Sequence, residues 1–153
     1  MAKQIIDFQY ALGELIDNSI SAAPPIKGGT GKQLSVIEIT IQEEESGDVN
    51  LQVADMGTGV PLDQIANDKN NIFNFGYAPP EKGLMNEHGF GLKNALVLMT
   101  GNFEKDFEFI TKTKTDKEYY LVCGPITEEM EVSTVEKNRW NKDLEIATDI
   151  DSG

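Results

Sequence analysis

The sequence predicts an α/β (α+β) fold, a two-layer sandwich in which a mixed, largely antiparallel sheet carries helices on one face. Three observations lead there. The opening segment repeats apolar residues at helical spacing, two later segments alternate with period two, and a second helical stretch opens at a glycine pair. Strands that alternate in this way have one wet face, and a sheet with one wet face needs a single helical layer.

Phe8, Leu12, Leu15, Ile16, Ile20 and Ala23 fall three and four apart, giving the first helix one apolar face. The opposite stripe is Glu14, Asp17, Asn18 and Ser21, so Glu14 and Asn18 are neighbours one turn apart. Pro24-Pro25 ends the helix, because neither residue can continue it and Pro24 pushes Ala23 out of the α region. Pro24 to Lys32 then forms a loop. Its Gly28-Gly29-Thr30-Gly31-Lys32-Gln33 fails as a phosphate loop of the Walker type, which needs Gly at Ile26 and Ser or Thr at Gln33.

Ile37, Ile39 and Ile41 alternate with Glu38, Thr40 and Gln42, and Val49, Leu51 and Val53 alternate with Asn50 and Gln52. The Ser46-Gly47-Asp48 turn makes the pair a hairpin. Asp55-Met56-Gly57-Thr58-Gly59-Val60-Pro61 follows, then a short helix over about 62–66. No period persists from Asn67 to His88, a length of connection that in a compact domain suits a lid; Phe73, Phe75 and Tyr77 give it something apolar to dock with. Leu92, Ala95, Leu96 and Met99 form the apolar stripe of the second helix, which Gly101-Asn102 stops. Phe107 to Thr113 and Glu118 to Cys123 read as another hairpin, while the chain beyond Pro125 reads as acidic and irregular, with a further strand expected at Leu144 to Ile150.

Composition sets the outer limits. The 153 residues suit one domain, and 39% hydrophobic with 25% charged residues is the balance of a globular protein. No run approaches the roughly 18 apolar residues of a membrane span, and the polar Lys3-Gln4 start leads to the expectation of no signal peptide. Net charge is −13, from 26 acids against 13 bases, which argues against direct binding of nucleic acid. It leaves a nucleotide open, since a metal and backbone N–H groups can hold a triphosphate within an acidic protein. The single cysteine, Cys123, excludes an intrachain disulfide and suits a reducing compartment, cytoplasmic or nuclear; in the apolar run 119–123 it reads as a buried structural thiol.

Three pieces thus stand in fixed order: Glu14-x-x-x-Asn18 on a helix, Asp55-x-Gly57-x-Gly59 after a strand, and Gly89-x-Gly91-Leu92 opening a helix. Each has a bland reading alone, as a solvated stripe, a common turn or tight packing; the ordered set with a lid between the last two does not. The set resembles the GHKL ATPases, the superfamily of the gyrase B subunit, the heat-shock chaperone ATPases, the histidine kinases and MutL. Glu-Leu-Ile-Asp-Asn-Ser-Ile-Ser-Ala resembles its N box, Asp-Met-Gly-Thr-Gly its G1 box, and His-Gly-Phe-Gly-Leu-Lys its G2 box, over residues 5 to about 123. The Leu-Ile-Asp-Asn and Gly-Phe-Gly-Leu-Lys-Asn-Ala wording looks nearer to the MORC and gyrase/MutL branches. The resemblance implies a Bergerat-type ATP-binding fold, ATP and Mg2+ as ligands, and an ATP-dependent homodimer in a longer protein.

Each residue type has a chemical reason to stand where it does. Glu14 can act as general base toward the water that attacks the γ-phosphate. One amide oxygen from Asn18 suffices for magnesium, because substrate phosphates and water supply the other ligands. Asp55 can accept a hydrogen bond from the adenine amino group, where guanine presents a carbonyl. Gly57 and Gly59 let the backbone turn beneath the base, and Val60 is similar in position to an apolar residue that packs on adenine in the family. Gly89, Phe90, Gly91 and Leu92 bring backbone N–H groups to the helix N-terminus where phosphates sit. Lys93 reads either as a point charge for the phosphates or as a solvated helix lysine. His88 reads as a hinge residue of the lid in preference to a phosphate contact.

Ser21 departs from the Asp of many family members, and the family's last motif, a Gly-Thr pair, is expected to lie past Gly153. The expected activity is therefore binding of Mg-ATP with slow hydrolysis. The alternatives are a protein kinase of the anti-sigma or histidine-kinase type using the same pocket, and a nucleotide-sensing module without turnover.

Overall fold

The structure, a computed structural model, describes residues 2–24, 27–30, 36–66, 72–73, 91–101, 104–125 and 130–135. Helix α1 runs Ala2–Ala22, starting earlier than the apolar spacing marks and stopping at the two prolines. Strands β1 (Ile37–Glu43) and β2 (Val49–Asp55) form an antiparallel hairpin in the expected register, with Ile39 opposite Val53 and Ile41 opposite Leu51. Its turn is closed by Gly47 at φ 84° and by Ser46 and Asp48 hydrogen bonding to each other. One 3-10 turn (Leu62–Gln64) stands where the short helix was expected. Helix α2 (Gly91–Met99) ends at Gly101, whose φ of 63° is the left-handed conformation that suits glycine after a helix.

Strands β3 (Glu108–Thr111), β4 (Tyr119–Cys123) and β5 (Val132–Val135) form a second antiparallel ladder in the order β3-β4-β5. β5 corrects the reading of the chain beyond Pro125 as irregular: Val-Ser-Thr-Val is too short for its alternation to stand out from the surrounding acids. The strand expected at Leu144 to Ile150 lies outside the described residues.

Helix α1 packs on α2 and touches β1 and β2. The core lies between α2 and the three-stranded ladder, centred on Ile65, Phe73 and Val122 with Leu92 and Leu96 packed against them. Phe73 meets the Phe109 ring edge-on at 85° and 5.4 Å between centroids. It is therefore a core residue, and of the stretch expected as a lid only Ile72 and Phe73 are described. Helices over antiparallel strands make an α+β sandwich of the expected class.

Two faces differ from expectation. On α1, Phe8 and Ile20 are 37% and 43% exposed, and Ala11 and Ser19 are buried in their place, while Ala23, just past the helix, is buried as expected. Small residues let a neighbouring helix approach closely, so the contact side of α1 is set by size as well as by hydropathy. On the hairpin, Ile41 and Val49 are more than half exposed, because α1 reaches only part of that face. Cys123 is exposed at the end of β4, outside the part of the strand, Leu121 and Val122, that the core covers; the expected buried thiol is corrected.

Candidate functional site

The loop after β2 is built on Asp55. Its carboxylate oxygen Oδ1 accepts a hydrogen bond from Gly57 N–H at 2.8 Å, a side-chain-closed turn that leaves Oδ2 outside that bond. Thr58 N–H then donates to the Ala22 carbonyl at 2.8 Å, satisfying an acceptor that the end of α1 leaves open. The approach is tight: a Cβ on Gly57 would lie 2.6 Å from Ala22 Cβ and 2.7 Å from its carbonyl oxygen. Gly59 takes φ 73° and faces the Lys112 carbonyl, which a Cβ would penetrate. Val60 N–H donates to Thr111 Oγ1 at 2.7 Å, and this bond ties the loop after β2 to the end of β3. Thr111 is buried and fixes Val60; the sequence gives no hint of it beyond a threonine at a strand end.

The other end of the site is made by side chains of α1 against the start of α2. The Glu14 carboxylate lies where a Cβ on Gly91 would be, Oε2 well inside contact distance of that position. A helix N-terminus carries partial positive charge, so a carboxylate is favourably placed there. Asn18, one turn on, has its Nδ2 buried and without a hydrogen-bond partner among the described residues. Buried amides nearly always have partners, so this one fits a ligand that supplies the missing contact.

Lys93 is 0% exposed, which corrects the reading of it as a solvated helix lysine. Desolvation holds its ammonium below the ordinary lysine pKa. Leu92 turns its side chain to the core. Gly89, Phe90 and His88 lie outside the described residues.

Two residues that the sequence reading passed over join the site. Tyr10 stands one helical turn before Glu14 on α1 and is sensitive to that carboxylate and to Asn94 of α2. The phenol pKa is raised, first by desolvation, then by Glu14, while Asn94 acts the other way. Spacing was the available signal, since Tyr10 precedes Glu14 by one helical turn.

Glu14 thus meets Gly91 where α1 packs on α2, with Asn18 one turn further along α1, while Asp55, Gly57, Gly59 and Val60 lie where the β2 loop meets the end of α1 and β3. Among the described residues no group of three or more His, Cys, Asp or Glu is arranged to hold a metal; a cation here would rely on one amide and on its ligand's own oxygens. No described helix is long and apolar enough to cross a membrane.

An α+β domain with these helix and loop motifs is an ATP-binding module of the GHKL superfamily. The family model described as histidine kinase-, DNA gyrase B-, and HSP90-like ATPase matches residues 3–123, and the chain belongs to that family. Comparison with curated proteins returned no match.

Proposed function

We propose that the chain binds Mg-ATP between α1, α2 and the loop after β2 and hydrolyses it slowly, as the ATPase module of a larger, conformationally cycling protein. The observation that carries this is the Glu14 carboxylate resting against Gly91, the first residue of α2. A base so placed faces the terminus where the family's phosphates sit. In this reading Glu14 takes a proton from water as the water oxygen bonds to the γ-phosphorus, and the bond from that phosphorus to ADP breaks. Magnesium, when bound, neutralises charge on the phosphates, and Asn18 is the side chain that would hold it through its amide oxygen. Asp55, with Oδ1 engaged by Gly57, has Oδ2 to offer the adenine amino group, and two facing acceptors would penalise guanine.

Calorimetry with Mg-ATP and Mg-GTP, followed by phosphate release from wild type and Glu14→Ala, tests the reading. ATP preference, with release that disappears in Glu14→Ala while binding persists, is the expected result. Equal release from both proteins refutes turnover by Glu14, and phosphate transferred to a second protein marks a kinase instead.

A further inference from the structure

We infer that Thr111 is a positioning residue for the loop that takes the base: its hydroxyl holds the Val60 main chain, so ATP affinity and the preference for adenine depend on it. This rests on the ATP site proposed above. The loop after β2 is pinned first toward β2 and α1, by Gly57 N–H on Asp55 Oδ1 and by Thr58 N–H on the Ala22 carbonyl. The chain then turns at Gly59, whose φ is 73°, and Pro61 has no N–H to offer. Between them, Val60 N–H donates to Thr111 Oγ1 at 2.7 Å, and the same hydroxyl lies 3.4 Å from the Val60 carbonyl oxygen. Among the described residues this hydroxyl is what hydrogen bonds the stretch from Gly59 to Pro61 to another element.

Thr111 ends β3 and is paired with Tyr120 of β4, so its hydroxyl hangs on a fixed frame. The residue is 7% exposed, which keeps water from replacing the bond. Val60 also packs against the cluster of Ile65, Phe73 and Val122. A core contact and a main-chain bond together set where Val60 stands relative to Asp55. An adenine that donates to Asp55 Oδ2 and rests on Val60 needs that separation kept. Guanine presents a carbonyl to Asp55, so its weaker binding has little to lose. Glu14 and Gly91 lie on the α1–α2 contact instead, so turnover of bound ATP does not follow Thr111.

Thr111→Val removes the hydroxyl and keeps the branched shape, while Thr111→Ser keeps the hydroxyl. The measurements are calorimetry with Mg-ATP and Mg-GTP, steady-state phosphate release, and amide exchange at Val60 in the wild type. Expected for Thr111→Val are Kd and KM for ATP raised about tenfold, with Kd for GTP and kcat within about twofold of wild type. Thr111→Ser should bind ATP within about threefold of wild type. The Val60 amide should be protected without nucleotide, and more so with Mg-ATP. Unchanged ATP affinity in Thr111→Val, an equal loss for ATP and GTP, a loss expressed in kcat, or no rescue by serine overturns the inference while leaving the ATP site standing. If Thr111→Val does not fold, ATP affinity kept by Thr111→Ser with a Val60 amide slowed by Mg-ATP upholds it. A Val60 amide that exchanges like an exposed one overturns it. Wild type that binds no ATP overturns both readings.

Discussion

The two ends of the site are built from different parts of the chain. The end at Asp55 is held by main chain: Thr58 on Ala22, Val60 on Thr111, and Gly59 against the Lys112 carbonyl. The end at Glu14 is made by side chains of α1 facing α2: a carboxylate against Gly91 and, one turn on, the buried Nδ2 of Asn18, which has no hydrogen-bond partner among the described residues. Backbone contacts fix a shape that does not depend on a ligand, whereas side-chain contacts can rearrange around one. The difference implies that the same substitution will act on folding at one end and on chemistry at the other.

Glycine to alanine makes the contrast sharpest. At Gly59 the added methyl meets backbone in a left-handed conformation, so Gly59→Ala should cost about 3 kcal/mol or more, read as a lowered urea midpoint. At Gly91 the methyl meets only the tip of Glu14, a flexible side chain, and alanine is the better helix former. Gly91→Ala should hold stability within about 1 kcal/mol of wild type. Phosphate release should fall by about 10²-fold, because the displaced carboxylate no longer faces its target. Loss of folding in Gly91→Ala would erase the distinction between the two ends.

Asn18→Ala should weaken Mg-dependent ATP binding by about tenfold, equivalent to one lost contact of about 1.4 kcal/mol. Its melting temperature should stay close to wild type, because the substitution removes a buried amide atom that has no partner among the described residues to lose. A large drop in melting temperature would mean that this amide belongs to the framework.

The smallest effect is acidic. Asp48 has its carboxyl pKa lowered mainly by its bond from Lys105, and Asp116 mainly by the Thr113 hydroxyl. Both folded values lie below the ordinary 3.8, so their stabilisation is complete above that range and is lost as pH falls through the lowered values. Melting curves recorded from about pH 5 to pH 2 should fall less steeply in Asp48→Asn and Asp116→Asn than in wild type. Asp116 closes the β3–β4 turn next to Lys112, so its loss should loosen the Asp55 end and leave the Glu14 end unchanged.

The sequence carried its strongest signals where period and punctuation agree. The β1–β2 register follows from Ile37, Ile39 and Ile41 set against Val49, Leu51 and Val53, and the end of α1 from two prolines. Motif order likewise placed Glu14 near the start of α2 although 77 positions separate Glu14 from Gly91. Side-chain fate was harder to read. Lys93 is buried and Cys123 exposed, against the usual tendencies of both residue types, because tertiary position decides burial. Thr111 matters through Val60, a partner far away in the chain, and a local pattern cannot supply that.

One bond has a wider effect than its length suggests. Thr58 closes the last turn of α1, so the loop beside Asp55 doubles as the end stop of the helix that carries Glu14. When that loop opens, the Ala22 carbonyl is left bare and the helix can unwind from its tail. Amide exchange at Thr58 and Ala23 should therefore rise and fall together, and a molecule that seats against the loop should slow both, stiffening a rod whose working end lies about 12 Å away.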